Sequence, residues 1–207
     1  MEPSDQRKWL RKAVDSKWSV AALRSAIKAD RADNPPPELR GKYRVVYADP
    51  PWAYGNERGD GYTEQGDHYP LLSLEALCSM EVKEHILPDA VLFLWATSPM
   101  LEDAFAVIES WGFVYKTSFV WDKESHNPGH YNSVRHEFLL VAVRGSCKPD
   151  VPDLIDSVQT IKRSSKHSEK PEEFRVIIDK LYPAGKRAEL FARKKTPGWD
   201  SYGNETS

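Results

Sequence analysis

The stretch Tyr43-Arg44-Val45-Val46-Tyr47-Ala48-Asp49-Pro50-Pro51-Trp52 constrains the fold of this chain more than any other. Its first six residues are rich in β-branched and aromatic side chains and read as a strand. Two consecutive prolines cannot donate to a sheet ladder, so the strand must stop where they begin. Asp49 is thereby left at the carboxyl end of a strand, where open α/β sheets hold their ligands. The prolines also fix the direction in which the Trp52 indole leaves the strand. A carboxylate, carbonyls with no neighbouring N–H to occupy them, and an aromatic plane together suit a flat base bearing an amino group.

The surrounding pattern supplies a sheet for that strand. Ala90 to Ala96 is nearly all apolar, as a strand buried on both faces should be. Pro99 opens a helix through Trp111, with Gly112 just past its end. Phe113 to Trp121 and Phe138 to Val143 read as further strands, and Val158 to Lys162 as a short edge strand. Leu74 to Met80 is a short helix with Ser73 as its N-cap. Pro171 to Leu181 is a helix with Phe174, Ile177, Ile178 and Leu181 on one side, and Ala188 to Ala192 is a last strand. This alternation predicts an α/β fold on a mainly parallel sheet. Two long polar stretches, Ala53 to Pro70 and Asp122 to Ser133, read as loops, and loops of that length usually carry function.

Ahead of the first strand, Ser4 to Lys28 has helical apolar spacing through Trp9, Val14, Trp18 and Ile27, with basic residues on the remaining faces. It reads either as a helix packed on the core with a solvated face or as a basic arm touching phosphates. Pro35 to Pro37 marks a linker, dividing an N-terminal segment, residues 1–41, from a main domain, residues 42–207.

At 207 residues the chain can bury a core without staples. The net charge of −2 provides no global attraction for polyanions. A polyanion would need a local patch, such as Lys162, Arg163, Lys166, Lys186, Arg187, Lys194 and Lys195. Two cysteines, Cys78 and Cys147, offer neither a disulfide framework nor zinc spacing, and the six histidines show no ligand pattern, so no metal site is expected. No apolar run reaches the roughly 20 residues of a membrane span, and the N-terminus lacks the apolar core of a signal peptide. A cytoplasmic location follows as the expectation. The absence of Gly-x-Gly-x-x-Gly or a phosphate loop argues against other nucleotide-binding α/β chemistries.

Asp49-Pro50-Pro51-Trp52 resembles the signature of amino-directed DNA and RNA methyltransferases. The ordered stretch from Lys42 to Glu205 is similar to the messenger-RNA adenosine methyltransferase (MT-A) family, including its small bacterial and phage members. The similarity runs through Leu92-Phe93-Leu94-Trp95-Ala96-Thr97, Trp111-Gly112-Phe113, Phe119-Val120-Trp121-Asp122-Lys123, His136-Glu137 and Leu139 to Gly145. It continues through Ser168-Glu169-Lys170-Pro171-Glu172, Glu189 to Arg193 and Gly203-Asn204-Glu205.

The resemblance implies a Rossmann-like, S-adenosylmethionine-dependent fold in permuted order, with the catalytic motif ahead of the cofactor-binding segment. It implies methyl transfer to the N6 amine of adenine, with DNA preferred over RNA. By this resemblance Asp49, Pro50, Pro51 and Trp52 form the catalytic turn. Asp49, Lys170, Arg193, Asn204 and Glu205 would hold S-adenosylmethionine, while Trp52, Tyr69, Glu137 and Lys170 would face the substrate base. Asp30, Arg31 or Asp33 would meet the cofactor adenine. The partner expected is nucleic acid; the chain would act as a monomer or homodimer, or beside a partner subunit. The competing reading is a non-catalytic nucleic-acid-binding partner of a methyltransferase complex. Such partners typically lose the acid or the cofactor residues, whereas Asp49, Lys170, Asn204 and Glu205 are all present.

Overall fold

A computed structural model describes residues 3–16, 19–20, 23, 39–53, 71–128, 131–164 and 169–203. Seven strands form one sheet: β1 (Tyr43–Ala48), β2 (Ile86–Ala96), β3 (Val114–Pro128), β4 (Ser133–Arg144), β5 (Val158–Thr160), β6 (Arg187–Leu190) and β7 (Asp200–Tyr202). Their order is β5-β3-β4-β2-β1-β6-β7. Four of the six pairings are parallel, and β4 runs antiparallel to both β2 and β3. The sheet is therefore mixed, and the α/β expectation holds.

The most apolar strand sits near the centre of the sheet. Ala90 to Ala96 of β2 are each at most 1% exposed, because the strand is paired on both edges and covered on both faces. One face packs under α2 (Leu74–Cys78) and α3 (Leu101–Ser110), through Leu77, Ala104, Val107 and the following Trp111. The other packs under α4 (Glu172–Leu181), through Phe174, Ile178 and Leu181. The Ser73 hydroxyl accepts the Ala76 N–H at 3.2 Å and caps α2. Pro99 lies in a 3-10 turn, Ser98–Met100, that leads into α3 rather than in its regular first turn. Gly112 takes a positive φ of 81° just beyond α3, as its helix-stop position requires.

A bidentate ion pair fixes α4 against the sheet. The Arg175 guanidinium donates to Glu189 on β6 at 2.7 and 3.1 Å and to Glu172 at 2.8 Å. It also lies over the rings of Tyr47 and Trp199, at 5.2 and 5.4 Å from their centroids. Burial would lower the Arg175 pKa, but the Glu189 carboxylate outweighs it and holds it above the usual guanidinium value. Planar, bidentate pairing of this kind favours Arg over Lys.

The structure corrects three sequence expectations. Asp122 to Ser133 is not a loop: β3 and β4 continue through it as a two-stranded ribbon beyond the core. Cross-strand pairing holds this ribbon, with Arg135 bonding Asp122 at 2.6 and 2.5 Å and Ser133 meeting His126 at 3.0 Å. Polar strands without a buried face leave no apolar alternation to read. Ala188 to Ala192 is not the last strand, because β7 adds to the edge beside β6. The N-terminal helix is not continuous to Lys28: α1 (Pro3–Asp15) ends ahead of a turn at Ser16. Trp9 is buried while Leu10 and Val14 are exposed. Of the later residues in that segment, only Ser19, Val20 and Leu23 are described. Most of the Ala53 to Pro70 loop, and Asp30, Arg31 and Asp33, lie outside the described residues. Among the described residues no helix is long and apolar enough to cross a membrane.

At the end of β7 the chain closes back on the exit of β6. The Ala192 N–H donates to the Tyr202 carbonyl at 3.0 Å. A Cβ placed on Gly203 would stand 2.1 Å from the Ala192 oxygen and 2.6 Å from its nitrogen. Gly203→Ala should therefore force the two backbone segments apart and lower stability by about 1–3 kcal/mol. The urea midpoint reads this shift, and an unchanged midpoint would show that the contact yields freely.

Candidate active site

The sheet collects the chemistry-bearing residues on one rim. β1 lies between β2, reached by the next crossover, and β6, reached much later, so the strand order reverses at β1. Ligands in open α/β sheets bind at such a switch point, beyond the carboxyl ends of the strands. Asp49 follows β1, Thr97 and Ser98 follow β2, and Arg193 follows β6. The antiparallel course of β4 brings Glu137 to the same rim, since Phe138 pairs with Ala96 and Glu137 pairs with Trp121.

Four charged side chains form a continuous chain there. The Lys170 ammonium contacts Asp49 Oδ1 at 2.8 Å and Glu137 Oε2 at 3.3 Å. Lys123 approaches the other Glu137 oxygen at 2.5 Å. The side chains of Lys123, Lys170 and Glu137 are 7%, 13% and 13% exposed, so these charges are held largely out of water. The indole faces beneath them contribute as well: Lys170 stands 5.4 Å from the Trp95 centroid and Lys123 5.2 Å from that of Trp121.

Burial and charge oppose each other in this cluster. Burial would push the Glu137 carboxyl up, but Lys170 and Lys123 prevail and hold it below the usual carboxylate value. Burial would likewise push the Lys170 ammonium down, yet Asp49 and Glu137 keep it above its usual value, against the opposing charge of Arg193. Arg193 is thus electrostatically part of the site. Removing one partner from a buried pair leaves the other uncompensated, which is strongly unfavourable.

The turn after β1 is tied down more tightly than its sequence suggests. The Pro50 carbonyl, expected to be open, accepts the Trp52 N–H at 2.9 Å, and the Pro51 carbonyl accepts from Leu72 at 2.9 Å. Each oxygen keeps a second lone pair. Trp52 is only 6% exposed, and its indole N–H donates to the Trp95 carbonyl at 3.1 Å. The indole therefore joins the exits of β1 and β2 and presents little free surface. Trp95 in turn donates to the Tyr47 hydroxyl at 2.7 Å. On β6 the chain leaves through Phe191 at a φ of 62°, a left-handed conformation that costs energy in a bulky residue.

Of the site residues named from sequence, the structure brings Asp49, Glu137 and Lys170 into contact and places Arg193 beside them. Pro50 and Pro51 follow Asp49 in the turn, and Trp52 is packed into the core beside them. Tyr69, Asn204 and Glu205 lie outside the described residues. Sequence reasoning gave Lys123 no role, although it belongs to the Trp121-Asp122-Lys123 match and lies two residues from the cross-strand partner of Glu137. The His136 Nε2 lies 3.4 Å from the Ser98 hydroxyl, and its ring is edge-on to Phe138. Among the described residues, no cluster of three or more His, Cys, Asp or Glu is placed to hold a metal ion.

The sheet and rim define an open α/β protein with a charged site at its switch point, and sequence comparison gives the methyltransferase family to which it belongs. The MT-A70 profile matches residues 43–205, and the chain belongs to that family. It is similar to the type II methyltransferase M.MunI from Mycoplasma sp, with 38% identity over 82% of this chain and 80% of that protein. It is also similar to the human N(6)-adenosine-methyltransferase catalytic subunit METTL3, with 30% identity over 81% of this chain. A putative N(6)-adenosine-methyltransferase MT-A70-like protein of Medicago truncatula is 29% identical over 82% of this chain. The matched region spans 29% of the human protein and 27% of the plant one.

The Glu137 and Lys170 shifts set a pH dependence. A carboxyl depressed in the fold stabilises it above the unfolded pKa, and that contribution is lost as pH falls through the folded pKa. An ammonium raised in the fold stabilises below its unfolded pKa, and that contribution is lost as pH rises through the folded value. Lys170→Met removes one of two cations from Glu137 while its burial remains. The acid limb of a melting-temperature profile should then move to higher pH, and an unmoved limb would mean that Lys123 alone sets the Glu137 charge.

Proposed function

We propose that this chain transfers a methyl group from S-adenosylmethionine to the N6 amine of adenine in DNA. The observation that carries the reading is the Asp49–Lys170–Glu137 contact at the switch point of the sheet. The similarity to a type II methyltransferase over most of both chains supports DNA. RNA is the second reading, because relatives named as N(6)-adenosine-methyltransferases are similar over the same share of this chain. A non-catalytic partner would have no need for a partly exposed acid held through one oxygen by a lysine at that position.

The residues present fit the cofactor. Lys170 and Arg193 suit a carboxylate, Asp49 suits an amine, and Asn204 and Glu205 suit ribose hydroxyls. When bound, S-adenosylmethionine supplies an electrophilic methyl group on a sulfonium. The protein has to make the poorly nucleophilic amine available to it. An exocyclic amine delocalises its lone pair into the ring. Asp49 Oδ1 is engaged by Lys170, while Oδ2 carries no partner among the described residues and faces the role of accepting one amine N–H. The second lone pair of the Pro50 carbonyl takes the other. Two acceptors on the amine favour a pyramidal nitrogen whose lone pair points away from the ring. The proton displaced after transfer leaves from the nitrogen through Asp49 to water. Lys170 holds the carboxylate in place, and the buried Trp52, tied to Trp95, fixes the turn that carries Pro50. Glu137 and Tyr69 complete the base side of the pocket in this reading.

Tritiated methyl transfer to single-stranded DNA, double-stranded DNA and RNA, followed by digestion to nucleosides, tests the reading. Label should appear in N6-methyldeoxyadenosine, and Asp49→Ala should reduce it by about 10²-fold or more. Label confined to adenosine would select RNA, and normal turnover by the variant would refute the mechanism. Ending the chain after Gly203 should weaken S-adenosylmethionine binding in calorimetry; an unchanged affinity would remove Asn204 and Glu205 from the site.

A further inference from the structure

The ribbon formed by β3 and β4 carries a bulge beside the catalytic rim. Asp122 pairs with His136, and the next register pair is Asn127 with Val134. Five steps along β3 thus answer two along β4, and the surplus is taken up around Lys123, Glu124, Ser125 and His126. Glu124 sits at a positive φ of 57°, with its N–H donating to Asp122 Oδ1 at 3.1 Å. Bulges of this kind re-aim side chains next to active sites. Here the bulge turns Lys123 inward onto Glu137 and opens a cleft on its outer side.

That cleft, about 300 Å³, is lined by Lys123, Glu124, Ser125, Lys162 and Arg163. Lys162 and Arg163 are held against the bulge by β5. The Ile161 N–H donates to the Asp122 carbonyl at 3.0 Å, and the Ile161 carbonyl accepts the Trp121 indole N–H at 2.7 Å. Among the described residues neither Lys162 nor Arg163 has an ion-pair partner, whereas Lys123 is already neutralised by Glu137. Lys162 also lines a second cleft of about 240 Å³ that reaches Lys170 and Lys194. Lys162 and Arg163, without ion-pair partners among the described residues, therefore line the cleft beside Lys123, and Lys162 is shared with the second cleft, whose lining also holds Glu169, Glu172 and Glu173.

The geometry points to this bulge cleft as the seat of a backbone phosphate of the target strand, adjacent to the adenine presented at Asp49. The inference rests on the nucleic-acid reading of the site given above. A chain of net charge −2 provides no general attraction for a polyanion, so any phosphate grip must be local. Lys and Arg with unshared charge are the side chains that supply it. Glu124 is the one acid in the cleft, and its charge opposes the ligand.

The test measures binding of a short, fluorescent, adenine-containing single-stranded oligonucleotide by anisotropy at several salt concentrations, using the full chain. Each neutralised phosphate adds about 0.7 to the slope of log affinity against log salt, so Lys162→Gln with Arg163→Gln should make the slope shallower by about 0.7. The affinity at low salt should fall by roughly tenfold or more. In methyl transfer the loss should appear in KM for the oligonucleotide rather than in kcat, with S-adenosylmethionine affinity unchanged in calorimetry. Glu124→Gln should act in the opposite direction and tighten binding, which damage to the fold cannot do. An unchanged slope in the double variant would overturn the proposal. So would an effect on sedimentation in place of oligonucleotide affinity, which would make the cleft a contact between copies of the chain. Wild-type protein that neither binds oligonucleotides nor methylates them would overturn the functional reading as well, whereas wild-type methylation with an indifferent double variant would overturn the cleft alone.

Discussion

The buried ammonium of Lys170, shared between Asp49 and Glu137, is the interaction on which the rim depends. Two carboxylates held out of water cannot both keep their charge without a cation near each, because desolvation favours their neutral forms. Lys170 serves both and Lys123 serves Glu137 a second time, so the charges of the four groups balance. A pair built this way contributes little net stability compared with apolar packing, since the desolvation cost offsets most of the attraction. What it supplies is a carboxylate fixed in position at the end of β1.

Position is then set from further away. Lys170 lies just ahead of α4, and α4 is anchored to β6 by Arg175 and Glu189. β6 pairs directly with β1, so the helix that carries the lysine and the strand that carries the acid are registered through one ion pair and one ladder. The same ladder carries Arg193 and the strained Phe191 out of β6 toward the rim, and Gly203 returns the end of the described chain against Ala192. Sequence-distant halves of the site meet because β1 is the strand at which the order reverses.

The parts of this arrangement that were legible in the sequence are those in which burial writes a pattern. The run Ala90 to Ala96, the proline stop after Ala48, the apolar side of Pro171 to Leu181 and the Gly112 stop each follow from one physical demand, and the structure has all four. The ribbon past Asp122 was not legible, since its strands are held by cross-strand polar pairs such as Asp122 with Arg135 and bury no face. β7 is three residues long and gives no periodicity. Within the site, Asp49, Glu137, Lys170 and Arg193 could be named because they fall in ordered motifs. The role of Lys123 depends on a bulge that turns it toward Glu137, and a bulge leaves no composition signal of its own. The burial of Trp52 was hidden for a related reason: its partner, the Trp95 carbonyl, lies on another strand.

A crystal structure of the protein with the demethylated cofactor product and an adenine-containing oligonucleotide tests the central claim most directly. The adenine amine should lie within hydrogen-bond distance of Asp49 and the Pro50 carbonyl, with Lys170 still bridging Asp49 and Glu137. An adenine seated away from the β1 exit, or an Asp49 carboxylate turned from the amine, would contradict it.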